Sequence, residues 1–492
     1  MLLSIVVSIG LTVAVGQFAP RPEVAPGLEA LREGRFDEAG RWFDRVTSQA
    51  PGAPEGPFFQ AFQIWWRLLD DPDATGTLRA RMEGLLEGSA RLAEGLAGST
   101  EQDVRERGLV FAGVSRLLEA QSLAGRGEHW SAASMARKGH RSLTDALAIN
   151  PDSADALFAL GAYDYYADNL PLMVKGIRWL LAIPPGDETR GIARLETAAD
   201  RSALFGTESL MLLTHIYAGG FEEDHRRALD YVHRARGRHA DSPLIALVES
   251  DLLYDLGRFR DAMIPAQKAG RIIEGSGAVF AQDLSRFAQL RIATLELASR
   301  QPAAALARAE AALACSLPAT QDDAERWGRL LLAAAREAGR IDAAAQWLAK
   351  LPLEPKMRRR LEERLAAARG DIAARELAAV AITPDADAEL RTLRGLLERF
   401  PGDRRIQYAL GRRLQMEGLL EEARPNLSAA ARGGQDEIAG WAMIRLGWAL
   451  EHAGARARAL PFYRRAAEIK HFSFRAAARD RLEHPVSDPP EG

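Results

Sequence analysis

Cysteine is nearly missing from this chain: Cys315 stands alone among 492 residues. A single thiol cannot close an intramolecular disulfide, and it cannot assemble a cysteine-based metal cluster. Lysine is scarce as well, with a few examples such as Lys138, Lys175 and Lys268 against abundant arginine. The 64 basic and 67 acidic residues are spread along the whole length and leave a net charge of −3. That arrangement has none of the concentrated positive field that nucleic-acid binding needs. Catalytic signatures are absent too: there is no Walker motif, dinucleotide glycine fingerprint, nucleophile elbow or HExxH. The stretch "EGSGAVF" at 274–280 lacks the lysine and the strand context of a phosphate cradle. His225 and His233, grouped with His239, lie eight residues apart, two helical turns, too far for direct co-ligation; His215 on the preceding helix could join them, but spacing and carboxylate geometry are wrong for a metal. The carboxylate pairs Glu222-Glu223 and Asp322-Asp323 read as solvated helix ends. No catalytic residue, metal or cofactor is expected, and the chain is read as not an enzyme.

Hydrophobic residues reach 47% and charged residues 27%, enough for an extensive core and against wholesale disorder. The first residues, "MLLSIVVSIGLTVAVGQFAP", carry no charge before Arg21 and run into the proline-rich break "APRPEVAPG". Two readings of residues 1–19 stand: a secretory signal peptide, favoured by the small residues around Ala14-Val15-Gly16, and a retained membrane anchor. Either places the chain outside the cytoplasm, in the periplasm or anchored facing it. No other segment approaches a membrane span.

Beyond residue 25, apolar residues recur at three- and four-residue spacing, alanine and leucine abound, and alternating strand patterns are missing. The fold class is all-α. Breaks of Gly, Pro or Asp come every 12 to 20 residues, and they carry a repeated signal. A glycine is followed five residues later by alanine in Gly34/Ala39, Gly127/Ala132, Gly257/Ala262, Gly339/Ala344, Gly418/Ala423 and Gly454/Ala459. Glycine takes the left-handed conformation that ends a helix, and alanine early in the next helix lets two antiparallel helices come close. The last two units are the most complete: Leu410-Gly411, Gly418, Ala423, Leu427 and Ala430, then Leu446-Gly447, Gly454, Ala459, Tyr463 and Ala466, set 36 residues apart. Gly34, Ala39, Phe43 and Pro51 keep the same phase, and Pro151 and Pro401 each precede a Leu-Gly glycine by ten residues.

This pattern resembles the tetratricopeptide repeat family. The resemblance implies helix–turn–helix pairs stacked into a right-handed α-solenoid with a concave groove, about ten pairs in all. Units around Arg300–Ala305 and Gly370–Ala374 are degenerate, and the repeat phase of residues 52–126 is not fixed by the sequence. The helix after Ala132 is about two turns longer than usual. Organisation along the chain follows: residues 20–149, N-terminal degenerate repeats; 150–260, a repeat region with an irregular insertion; 261–400, degenerate repeats; 401–480, two well-formed repeats; 481–492, a tail expected to be disordered.

The insertion begins after the tyrosine-rich helix "ALGAYDYYADNLP". Asp168-Asn169 replace the turn glycine, and the proline-bracketed "LPLMVKGIRWLLAIPPGDETRG" replaces a second helix, with a new helix starting near Thr189. Residues 150–260 are similar to bacterial envelope tetratricopeptide proteins related to the inclusion-body-clearance group. That likeness marks the insertion as a regular element and carries no ligand or activity. In a tetratricopeptide helix, groove positions lie six and three residues before the Leu-Gly glycine and one, four and five after it. Counting from Gly161 gives Asp155, Phe158, Ala162, Tyr165 and Tyr166, with Tyr163 facing elsewhere. From Gly411 it gives Arg405, Tyr408, Arg412, Gln415 and Met416; from Gly447, Trp441, Ile444, Trp448, Glu451 and His452. Rings supply area at low entropic cost and arginine pairs with carboxylates, so Phe158, Tyr165, Tyr166, Arg405, Tyr408, Arg412, Trp441 and Trp448 are the candidate partner-binding residues. Packing beneath the insertion is the competing account of Tyr165 and Tyr166. The expected function is a non-catalytic exported scaffold for a protein or peptide partner, with an assembly factor or chaperone of an envelope complex as the alternative and, behind it, an enzyme with an unrecognised site.

Overall fold

A computed structural model describes residues 21–70, 76–169, 184–219, 223–276, 281–318, 320–380 and 385–491. Residues 1–19 and the core of the insertion, with Met173, Ile177, Trp179, Leu180 and Leu181, lie outside the described residues. Among those described, 24 helices and no strands form an all-α solenoid of tetratricopeptide-like pairs. The chain divides into two compact units, Met1–Leu213 and Thr214–Gly492. No helix among the described residues is long and apolar enough to cross a membrane.

Unit 1 contains α1 (Val24–Arg32), α2 (Phe36–Gln49), α3 (Glu55–Asp70), α4 (Thr77–Leu96), α5 (Gln102–Gly125), α6 (His129–Ile149), α7 (Ala154–Asp168) and α8 (Glu188–Arg201). Each packs on the next in order. Helix α9 (Gly206–Gly219) carries the boundary between the units. Unit 2 continues with α10 (His225–Arg238), α11 (Pro243–Asp255), α12 (Phe259–Ser276), α13 (Ala281–Ala298), α14 (Pro302–Cys315), α15 (Gln321–Glu337), α16 (Ile341–Lys350), α17 (Pro355–Gly370), α18 (Ile372–Val380), α19 (Ala386–Arg399), α20 (Arg404–Met416), α21 (Leu420–Ala431), α22 (Glu437–His452), α23 (Arg456–Ala467) and α24 (Arg475–Glu483).

The repeated glycines act as the sequence predicts. Gly34, Gly127, Gly257, Gly339, Gly418 and Gly454 all have φ between 67° and 79°, which costs a residue with a Cβ. The amide after each reaches back five residues, as in Arg258 N to Leu253 O (2.9 Å) and Leu419 N to Leu414 O (2.9 Å), and this satisfies carbonyls that the helix end leaves open. The alanines that follow at five residues, Ala39, Ala132, Ala262, Ala344, Ala423 and Ala459, are all buried. Space explains the Leu-Gly glycine: a Cβ on Gly447 would stand 2.5 Å from the Tyr463 ring of the paired helix. One turn departs from the rule. Arg300, between α13 and α14, adopts φ 63° at the place where a turn glycine belongs.

Unit 2 does not end as an open array. Its last helix α24 packs against α10 and α11. Arg226 of α10 pairs with Asp480, and Arg479 pairs with Glu223. Trp441 of α22 meets Phe259 edge-on, with ring centroids 5.9 Å apart, and Phe474 packs on Tyr254 at 5.0 Å. First and last helical pairs of the unit are therefore in contact.

Candidate functional site

The eight candidate residues fall into both units. In unit 1, α7 carries three of them. Phe158 is half-buried and stacks on Phe205 with centroids 4.9 Å apart. Tyr165 is buried and meets Tyr166 edge-on at 5.4 Å, whereas Tyr166 keeps 47% of its surface exposed. Tyr163 turns the other way, donating its hydroxyl to Pro184 O (2.8 Å) and packing on His140. The interior beside α7 is acidic, and its carboxylates have partners. Asp164 is fully buried and receives a fork from Arg190 (2.9 and 2.8 Å) and a contact from Arg194, which tie α7 to α8. Asp155 accepts from Ser202 and Leu204 N, and burial pushes its carboxyl up to about 6. Glu106 accepts from Asn150 at both oxygens (3.1 Å each) and from Ser153, and Glu208 is held by Arg32 at 3.0 and 2.8 Å. This face is closed by its own side chains.

Unit 2 places the other five. Tyr408 and Gln415 on α20 and Arg445 on α22 form one buried hydrogen-bonded group. Arg445 Nε donates to Tyr408 Oη (3.1 Å), Arg445 Nη1 to Gln415 Oε1 (2.8 Å), and Gln415 Nε2 to Arg445 O (3.0 Å). A charged guanidinium in an interior requires such partners, and these orient it. The Arg300 guanidinium lies 5.9 Å from the Tyr408 ring centre and that of Arg445 lies 6.0 Å from it. Arg412 joins them: its Nε has no hydrogen-bond partner, and burial, then the nearby charges of Arg300 and Arg445, depress it to about 10.

What lies on this arginine face is the chain itself. Residues 484–491, expected to be disordered, run along it without helix. Trp448 Nε1 donates to Ser487 O (3.1 Å) and Arg445 Nη2 to Pro490 O (2.8 Å). Pro490 is buried. Glu491 accepts from Arg260 N (2.8 Å), in the first turn of α12, so its carboxylate meets the positive end of that helix. Composition suggested disorder because Pro, Ser and Asp cannot build a core of their own; here the contacts come from helices far away in sequence.

Two candidates take other work. Arg405 braces adjacent repeats through Asp371 and Asp403, which raise its pKa, with hydrogen bonding to Asp403 the larger cause. Trp441 fills an aromatic cluster with Phe259, Phe472 and Phe474, over Gly257, where a Cβ would meet its ring at 2.6 Å. Arg300 and Arg445 are absent from the sequence-derived set. Their signals were an arginine at a turn-glycine position and one inside the apolar run "MIRLGW".

Among the described residues no group of three or more His, Cys, Asp or Glu is placed to hold a metal ion. His225 faces Asp255 (3.6 Å) and His233 faces Glu249 (3.4 Å), two separate pairs. A surface cleft of about 670 Å³ between α12, α13 and α14 is lined by Glu296 and Arg308, which pair with each other.

No family model matches the chain, and no curated protein matches it. It is similar in fold to solved structures of helical-repeat proteins. A human IFIT1 dimer with PPP-AAAA aligns at 14% identity and TM-score 0.31 over 82% of this chain and 81% of that one. Yeast Tom70 aligns at 12% identity and TM-score 0.30, over 90% and 94%. The P58(IPK) TPR domain aligns at 12% identity and TM-score 0.20, over 91% and 98%. At these scores they add nothing to the reading of the site.

Proposed function

We propose that the chain is an exported, non-catalytic scaffold that binds a protein partner through an extended segment laid along the inner face of unit 2. The observation that carries this reading is residues 484–491. An unwound stretch of chain is held there by side chains that grip backbone carbonyls, Trp448 on Ser487 and Arg445 on Pro490. Carbonyl contacts are indifferent to side-chain identity, so the same grip serves a segment from another protein. The arginines favour an acidic partner, and the dispersed charge with net −3 argues for protein over nucleic acid. Export rests on the apolar residues 1–19, and the likeness of residues 150–260 to envelope tetratricopeptide proteins agrees with it.

Cross-linking capture with the tagged full-length chain tests this, beside Trp448→Phe and Tyr166→Ala variants of unchanged melting temperature. A partner lost with Trp448→Phe and kept with Tyr166→Ala is the expected result. Loss with Tyr166→Ala alone would move the binding face to unit 1.

A further inference from the structure

Residues 484–491 make three kinds of contact with unit 2, and the three differ in what they recognise. The carbonyls of Ser487 and Pro490 are read without regard to side chain. Buried Pro490 is read by shape: it is the one fully enclosed residue of the segment, while Ser487, Asp488 and Pro489 are exposed. Proline also holds its neighbours extended at little entropic cost, which suits a groove that grips carbonyls. The Glu491 carboxylate is read by charge, on the Arg260 amide at the start of α12. A helix of 18 residues ends there with open N–H groups, and an acidic side chain directly after the proline supplies the acceptor.

Nothing in the segment itself makes this seat permanent. It has no helix, and half of its residues are exposed. Holding the site from within the same chain raises its effective concentration without raising its intrinsic affinity. The strained turn at Arg300 belongs to the same construction. A non-glycine residue at φ 63° stores backbone strain, and here it delivers a guanidinium to the Tyr408 ring beside Arg445.

Resting on the scaffold reading above, we infer that residues 484–491 are an internal occupant of the partner site. The partner presents an extended segment in which an acidic residue directly follows a buried proline, and it must displace the chain's own copy. Binding of the partner and seating of residues 484–491 are mutually exclusive. In its resting state the scaffold is closed to weak acidic peptides and opens to those that outcompete the internal one.

The test uses the full chain and a fluorescein-labelled synthetic peptide with the sequence of residues 484–491, followed by anisotropy. A tail-weakened chain, Pro490→Ser with Glu491→Lys, is compared with the unaltered chain. It is expected to bind the peptide at least about tenfold more tightly, because its own copy no longer competes. Replacing the peptide's glutamate by glutamine is expected to weaken binding several-fold, and so is Trp448→Phe in the tail-weakened chain. If the double variant melts early, Glu491→Gln alone serves in its place. Equal affinity for both chains would overturn internal occupancy, and indifference to the glutamate swap would overturn the proposed recognition pattern. A peptide that binds neither chain overturns the inference as a whole, yet leaves the scaffold reading intact if partner capture still depends on Trp448.

Discussion

The interiors of the two units solve the same problem in opposite ways. Beside α7, unit 1 buries carboxylates, and each has a partner from its own helices: Asp164 on Arg190, Glu106 on Asn150, Asp155 on Ser202, Glu208 on Arg32. Unit 2 gathers arginines around Tyr408, and one of them, Arg445, holds a stretch of chain that is not a helix. Packed helices are costly to remove, whereas an extended segment held by a few contacts is replaceable. On the proposal above, the difference is that between a structural core and a recognition surface, although both faces present aromatic rings on equivalent helices.

The comparison breaks most directly at Asp164. Asp164→Ala removes the buried carboxylate that Arg190 and Arg194 share and should destabilise unit 1 by about 1–3 kcal/mol, since both arginines keep access to water. Hydrogen exchange resolved by unit should show faster exchange in α7 and α8 and little change in α20 to α23. Uniform loss of protection would mean that the units do not differ in this way.

Acidification should act next, through one buried carboxyl in each unit. Burial raises the Asp155 carboxyl from 3.8 to about 6, so the folded chain takes up its proton before the unfolded one does. Its contribution to stability is then fullest below 3.8 and is lost as pH rises through about 6. Lowering pH from about 7 to 5 should therefore restore the Asp155 contribution, against the opposite response of His140, which burial lowers, and Asp155→Asn should remove the Asp155 part. Asp251, also raised to about 6 by burial, adds a response of the same sign in unit 2. Asp371 and Asp403, lowered chiefly by hydrogen bonds from Arg405, hold their stabilisation until pH falls below the usual carboxylate range. A chain whose unit-1 protection is unchanged by Asp155→Asn across this window would contradict the assignment.

Smaller effects are expected on the arginine face. Trp448→Phe keeps the ring and removes one hydrogen bond, a loss of about 1 kcal/mol, and limited proteolysis within residues 484–491 should quicken while the global melt stays put. Arg300→Gly relaxes the left-handed turn and should leave the melt unchanged or raise it by up to about 1 kcal/mol equivalent. The same change should weaken peptide binding to the tail-weakened chain. A variant that gains stability and keeps full binding would show that the strained arginine has no part in recognition.

Much of the fold was legible because its turns demand a particular residue. Only glycine takes φ near 70° cheaply, and six such positions, each followed by a small buried residue, set the repeat phase directly. The site was less legible because groove position does not determine use. The count from the Leu-Gly glycines puts Tyr408, Gln415 and Trp448 on one face; the first two bond Arg445, and Trp448 holds the same segment that Arg445 holds. Arg405 was counted there too, but Asp371, 34 residues earlier, draws it into a brace between repeats. Glu491 finds its donor, the Arg260 amide, 231 residues away, a separation no local pattern encodes. The boundary within α9 left no break in composition, since a continuous helix crosses it.

The contact of α24 with α10 and α11 bears on how unit 2 folds. A linear repeat array frays from its ends, each terminal pair melting at the cost of a single interface. In unit 2 the terminal pairs cover one another, so no repeat can peel away without breaking two interfaces, and unfolding should be concerted where a linear array would unzip. The cost is kinetic: the Arg226–Asp480 contact joins residues 254 apart, so on the ribosome the early helices of the unit wait, uncovered, until the last ones are made.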